Sequence, residues 1–454
     1  MQIPPAVRTV TRRVWAWLRE LPPFVIVAAG FAIGMFYAYP GLVSLDSLDQ
    51  LVEARSGVYT DGHPPFMQAM WHFVEYFMTG TFGMLVIHTV AFLAGTYLLL
   101  KRALPPRGAA LATVLIYLFP PVLCPLAAIW KDCIMAGFFL LGTAAFLDER
   151  RWVRCAGIAC LFIATTVRYN APAASMSLIV LLFDVGKQRV VRYVLSTGVW
   201  IALTLASIGT NLALTDIHMH FWQSSLAVYD IAGTISYVDG TIPDDELRKT
   251  FEGTNLLVDH DIHAAIRHQY TFDDFTPLIA GNGHLWDMPI EGTVPAPDAQ
   301  LDAMSRAFWD VVTSHPGAYL RHRLAVTLGV LGVTSNDGML VLTYHSSYRE
   351  YMENVKLDTH PTRMQLRWQG RAQMLARYTP LFKPFLYLIF ALVLLWLNRD
   401  RDVLALLLSG LGLESSLILL APTPDYRYSH WMVICTLISA VLVFARRRKR
   451  KPTP

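Results

Sequence analysis

The chain has 454 residues, of which 54% are hydrophobic and 16% charged, and its mean hydropathy is +0.39. Soluble domains carry about 25% charged residues, and here the apolar residues gather into nearly uncharged runs of about 15–22, enough to cross a ~30 Å hydrocarbon core. Composition excludes a soluble enzyme and a disordered or fibrous chain, and predicts an all-α polytopic membrane protein.

The net charge of +4 hides a segregation of signs. Arg8, Arg12, Arg13 and Arg19 precede the first apolar run, and Arg446 to Lys451 follow the last. Between Thr215 and His322 there are 16 Asp and Glu against five Lys and Arg. Lys and Arg near span ends stay cytoplasmic, so both termini are expected inside and the acidic stretch outside. Beside a span the basic tail reads as a topology anchor, and nucleic acid is not expected as a partner. The first apolar run has no small-x-small exit behind it and reads as a retained span. Cys124, Cys133, Cys155, Cys160 and Cys435 lie in or beside apolar runs without a CxxC or zinc spacing, which favours packing over a disulfide.

Taken in chain order, span 1 covers about residues 23–39, and an acidic loop from Pro40 to Gly62 follows outside. His63 to Met78, with His63, His72 and Glu75, reads as an interfacial or re-entrant helix. Span 2 (about 82–100) returns to Lys101, Arg102 and Arg107 inside. Spans 3 (about 109–127) and 4 (about 133–147) enclose the outer turn Trp130-Lys131-Asp132. Spans 5 (about 153–168) and 6 (about 171–185) enclose Arg168-Tyr169-Asn170, and span 7 covers about 193–213. The apolar stretch Leu324 to Val333 is tempting as a span, but a crossing there would put Arg446 to Lys451 outside, so it is expected to lie in the outer interface. Spans 8 (about 380–397), 9 (about 402–421) and 10 (about 429–445) complete a set of about ten. The expected division is a membrane module 1–213 with the catalytic loop 40–80, an outer region 214–378 large enough for a small domain, and a membrane module with basic tail, 379–454.

Polar groups beside a bilayer are costly and need a reason. Here they concentrate in the outer connections. If Ser44 to Glu53 is helical, Asp46, Asp49, Gln50 and Glu53 share one face while Leu45, Leu48, Leu51 and Val52 cover another. That face is either simply solvated or holds a general base for a hydroxyl acceptor. In Asp61-Gly62-His63-Pro64-Pro65 two prolines start a helix, and His63 reads equally as a structural cap, an acid/base or a ligand. Lys131 and Arg168 sit on outer turns, where positive charge is disfavoured, and Arg427 lies on a third. Arg suits bidentate phosphate contacts and Lys a compact charge, so the three suggest an anionic headgroup, with interfacial anchoring as the plain alternative. No Walker A loop, GxGxxG, HExxH or GxSxG is present. An enzyme of this kind needs a donor already activated in the membrane.

These motifs, in this order, resemble the GT-C glycosyltransferases. The resemblance rests on Ser44-Leu45-Asp46-Ser47 with Gln50, Asp61-Gly62-His63-Pro64-Pro65, Trp130-Lys131-Asp132, Arg168-Tyr169-Asn170-Ala171, His315 to Leu320 with Arg323, and Arg427-Tyr428. It covers the membrane part well and residues 214–378 weakly. It implies an inverting transferase in the bacterial cytoplasmic membrane. Such an enzyme moves a sugar from a polyprenyl-phosphate donor to a hydroxyl of a glycan, lipid or protein acceptor at the outer face, among membrane lipids. It further implies Asp46, Asp49, Asp61 and His63 as catalytic candidates, with Lys131, Arg168 and Arg427 on the donor phosphate. Gln50, Asp132, Asn170, Tyr428 and Arg323 would support them. Many members carry two adjacent acidic residues in loop 1, whereas Asp46 and Asp49 stand three apart; the choice of base and the use of a divalent metal stay open. Two rival readings remain: a transporter or flippase of an anionic lipid or glycan, and a surface-polysaccharide polymerase or ligase. Against the first, no paired half-sequences are visible; against the second, the large outer loop is acidic rather than rich in Arg.

Overall fold

A computed structural model describes residues 21–183, 189–289, 294–334, 355–357 and 361–450. Arg8 to Arg19 and Lys451, expected as topology anchors, lie outside the described residues. Within them the protein is all-helical, with three isolated bridges and no extended strand. Helices occupy all ten segments expected to span. They are α1 (Pro23–Ala38), α4 (Phe82–Leu100), the pair α5 (Pro106–Tyr117) and α6 (Pro120–Leu126), α7 (Lys131–Phe146), α8 (Arg151–Thr166), α9 (Pro172–Ile179), α10 (Arg189–Leu214), α18 (Pro384–Leu397), α19 (Arg401–Leu420) and α20 (His430–Arg450). Among the described residues, α4, α10, α19 and the segment Tyr426–Lys449 are each long and apolar enough to cross a membrane. The α5–α6 pair adds a fifth if counted as one span bent by 71°, a bend explained by Pro120 and Pro121 at the break. Sixteen-residue helices such as α1 and α7 reach only about 24 Å at 1.5 Å per residue. The chain is a multi-pass membrane protein whose spans are partly short and broken.

The connections carry the remaining helices. Loop 1 holds α2 (Leu45–Ser56) and α3 (Pro65–Glu75), and α3 stands where an interfacial helix was expected. The outer region holds α11 (Ala227–Ser236), α12 (Asp244–Thr250), α13 (Ile262–Gln269), α14 (Thr276–Ile279), α15 (Asp298–Ser314), α16 (Pro316–Val330) and α17 (Arg363–Tyr378). The tempting stretch after Leu324 belongs to α16. That helix buries Ala318, His322, Arg323, Val326 and Val330 and leaves Leu320 and Leu324 exposed.

Two apolar clusters hold the protein together. The larger is built from α4, α7, α8 and α20 with their neighbours. Here α4 and α7 approach closely at Gly95, where a Cβ would come within 2.5 Å of the Leu141 nitrogen. Small residues let backbones meet in this way in membrane bundles. The second cluster joins α11, α15 and α16 to Leu417 of α19, to Ala421 just after that helix and to Tyr428. The outer region is therefore seated on the end of α19, directly before the turn that carries Arg427. The five cysteines are all free, and the Cys133 thiol donates to the Pro125 carbonyl at 3.1 Å.

Candidate active site in the outer connections

Three connections meet at the start of α2. Leu42 pairs with the chain before α7, its N–H donating to the Ala127 carbonyl (2.8 Å) and its carbonyl accepting from Ile129 (3.0 Å). Ser47 Oγ donates to the Ile129 carbonyl at 2.8 Å, and Trp130 Nε1 donates to Ser44 Oγ at 2.9 Å. Loop 1 is thereby fixed against the Trp130-Lys131-Asp132 turn. The third connection, a 3-10 turn at Tyr426–Ser429, starts at Asp425, whose Oδ1 caps it by accepting from the Arg427 N–H (3.0 Å).

Arg427 is the centre of the arrangement. Its Nη2 meets Asp46 Oδ2 at 2.7 Å and its Nε meets Asp425 Oδ2 at 2.9 Å. The guanidinium also lies over the Trp130 ring (4.9 Å to the centroid) and the Tyr428 ring (5.3 Å). Arg168 approaches the same Tyr428 ring at 5.4 Å, is ion-paired to buried Asp132, and donates through Nε to Asn170 Oδ1 at 2.8 Å. Asn170 Nδ2 in turn donates to Ser416 Oγ of α19 at 2.9 Å. Lys131 Nζ donates to His63 Nδ1 at 2.6 Å. Asp46, His63, Lys131, Asp132, Arg168, Asn170, Arg427 and Tyr428 thus stand together, although they come from four separate stretches of chain.

The electrostatics follow from this geometry. Burial works against ionisation of Asp46, but the Arg427 guanidinium, with Lys131 nearby, outweighs it and holds the carboxyl below the ordinary carboxylate range. Asp46 nevertheless stays about a quarter open, its side chain 27% exposed. Asp425 goes the other way: burial pushes it up more than Arg427 pulls it down. Burial and the Lys131 ammonium push the His63 imidazole down to about 3, against the pull of Asp46. His63 is therefore held as the neutral imidazole at pH 7, with Nδ1 turned to Lys131. Its folded value lies below the unfolded value of about 6.5, so its contribution to stability is full above that value and is lost as pH falls towards 3. His63→Asn, which has no such titration, is expected to flatten the acid limb of a thermal-melting series between pH 6.5 and 4. An unchanged limb in the variant would remove His63 from that role.

The other expected residues go elsewhere. Asp61 forms a clip: its Oδ1 accepts from the Met219 (2.5 Å) and His220 (3.2 Å) N–H groups, and Oδ2 faces His218 Nδ1 at 3.3 Å. With the Thr60–Ile217 bridge it ties loop 1 to the start of the outer region, so it positions the loop rather than facing Arg427. His218 and His220 line a cavity of about 870 Å³ together with Asp216 and Asp298. Gln50 is buried and donates to the Asp46 carbonyl at 2.8 Å. Asp49 lies half-buried one turn after Asp46. Arg323 is buried within the outer region, donating to Asp230 Oδ2 (2.6 Å) and to the Ala421 carbonyl (2.9 Å) at the end of α19. It braces the turn from behind.

The face expected for α2 needs correction. Glu53 is buried, accepting from the Thr60 N–H and hydroxyl at 2.8 Å each, while Leu45 and Val52 are exposed. One face of the helix is covered by protein, and the buried stripe of Leu48, Leu51 and Ala54 is joined there by Ser47, Gln50 and Glu53, which find partners inside the fold. Sequence reasoning also missed Asp425 and Glu414. Glu414 is buried mid-way along apolar α19 and accepts from Ser429 Oγ at 2.8 Å. An ionisable residue inside an apolar run is itself a functional signal, and that signal was present. Among the described residues no three His, Cys, Asp or Glu side chains are grouped to hold a metal ion.

No family model and no curated protein matches this chain. Among solved structures, the chain is similar to the crystal structure of ArnT from Cupriavidus metallidurans bound to undecaprenyl phosphate. Identity is 12%, the match covers 94% of this chain and 77% of that one, and the TM-score is 0.34.

Proposed function

We propose that the protein is an inverting glycosyltransferase that takes a sugar from a polyprenyl-phosphate donor at the outer face of the bacterial cytoplasmic membrane. The observation that carries this reading is the Arg427 centre: a carboxylate, Asp46, held within 2.7 Å of a guanidinium that Lys131 and Arg168 accompany. The acceptor hydroxyl attacks the anomeric carbon and gives its proton to Asp46. The bond from that carbon to the donor phosphate oxygen breaks, and the phosphate leaves with the electron pair. Arg427 serves both partners. While it holds Asp46 the carboxylate is a weak base. As charge grows on the leaving phosphate the guanidinium turns towards it, and Asp46 gains proton affinity when the acceptor must be deprotonated.

Orientation follows the charge pattern. Lys101, Arg102 and Arg107 follow α4 and Arg150, Arg151 and Arg154 lie around the start of α8, at the ends away from the site, as the rule for cytoplasmic loops requires. Purified protein incubated with a panel of polyprenyl-phosphate sugars is expected to consume one of them and release the polyprenyl phosphate, read by mass spectrometry. Binding of every donor with consumption of none, together with vesicle uptake of the lipid, would instead establish the flippase reading.

A further inference from the structure

A groove of about 1170 Å³ runs along the outer end of α1, on the same side of the bundle as Asp46 but at the far end of α2. Its floor is apolar: Ala32, Met35 and Phe36 of α1 and Phe82 of α4. Its rim is polar, with Arg55, Glu75 and Lys356. Arg55 donates to Glu75 at 2.9 Å and to the Val355 carbonyl, so among the described residues that line the groove Glu75 matches the charge of Arg55 and the Lys356 cation is in excess. The far wall is the first turn of α17, fastened by Gln365 Nε2 to the Tyr37 and Tyr39 carbonyls (3.0 and 2.5 Å).

The surface of α17 shows what the groove meets. Its sixteen residues include Arg363, Arg367, Arg371 and Arg377 and no acidic residue, and all four arginines are exposed. Between them stand exposed Met364, Leu366, Trp368, Met374 and Tyr378, with the Arg371 guanidinium 5.9 Å from the Trp368 ring. Guanidinium groups alternating with apolar side chains suit the headgroup layer of a bilayer, where each finds phosphate or acyl chain. Outer positive charge runs against the usual bias and so points to an anionic counterpart.

We propose that this groove binds one anionic glycerophospholipid of the outer leaflet. One acyl chain would lie against Ala32, Met35 and Phe36, with the phosphate between Lys356 and the first turn of α17. The site is separate from the Arg427 centre and goes beyond the transfer reaction. The test uses full-length protein in detergent and native mass spectrometry, with phosphatidylglycerol against phosphatidylcholine of identical chains. Phosphatidylglycerol is expected to be retained preferentially, and Lys356→Glu with Arg363→Glu to lower that preference by at least about tenfold, given about fivefold for each surface cation. Ala32→Trp, which fills the floor, should reduce retention of both lipids. Arg427→Ala should leave the preference intact. Equal retention of the two lipids by the wild type would overturn the proposal, and so would an unchanged preference in the charge-reversed protein at unchanged melting temperature. Neither lipid carries a sugar or a polyprenyl chain, so the outcome is independent of glycosyl transfer.

Discussion

Asp46→Asn is expected to lower turnover by roughly 10²–10⁴-fold, the range typical of general-base catalysis, while donor binding is kept. The amide has the carboxylate's shape and can still accept from Arg427, but it cannot take a proton. The start of α2 should survive the change, because it is fixed by Ser44, Ser47 and Trp130 rather than by Asp46 itself. Single-turnover rates and donor affinity, measured on the same preparation, separate the two effects. Asp425→Asn is the informative partner, since Asp425 holds the same guanidinium and burial makes it the more basic carboxylate of the two. A dead Asp425→Asn beside an active Asp46→Asn would move the base to Asp425. Near-wild-type turnover in both would remove this mechanism.

Arg427→Ala should cost more than catalysis. It strips the charge partner from two carboxylates at once and removes the cation stacked on Trp130 and Tyr428. Truncating one member of a buried, hydrogen-bonded charge pair costs about 2–5 kcal/mol, which corresponds to a donor affinity weaker by about 30-fold to several thousand-fold. Arg427→Lys keeps the charge but loses the fork that reaches Asp46 and Asp425 together, so it should recover only part of the binding. Calorimetric titration with a polyprenyl phosphate reads both variants. Wild-type affinity in Arg427→Ala would exclude this residue from the phosphate site.

The helices of the membrane part were legible because an apolar run is a local property: each of the ten expected segments can be read without reference to any other, and each holds a helix. The same holds for the charges of Lys131, Arg168 and Arg427, each of which is read from its place in a short connection between apolar runs. Partnerships were not legible. The motif around Asp61 does not reveal that the chain at residues 217–220, more than 150 positions on, supplies N–H groups that engage its carboxylate. Arg323 stands beside a recognisable motif, yet its direction is set by Asp230 and by the end of α19. The open and covered faces of α2 depended on Gln68 and Thr60 being near enough to satisfy Glu53. Such pairings depend on tertiary contacts that the spacing of residues along a chain does not encode.

At the Arg427 centre the cations already have partners within the protein: Arg427 meets Asp46 and Asp425, Arg168 meets Asp132, and Lys131 meets His63. A cluster paired in this way has little field beyond its own walls, and charges further away than a Debye length of about 8–10 Å are screened in any case. The centre is thus poorly suited to drawing anions out of bulk water and well suited to a ligand delivered sideways through the leaflet by its own hydrocarbon tail. Encounter would then depend on the two-dimensional concentration of that lipid rather than on ionic strength. The cations would act only after arrival, by exchanging one oxyanion for another.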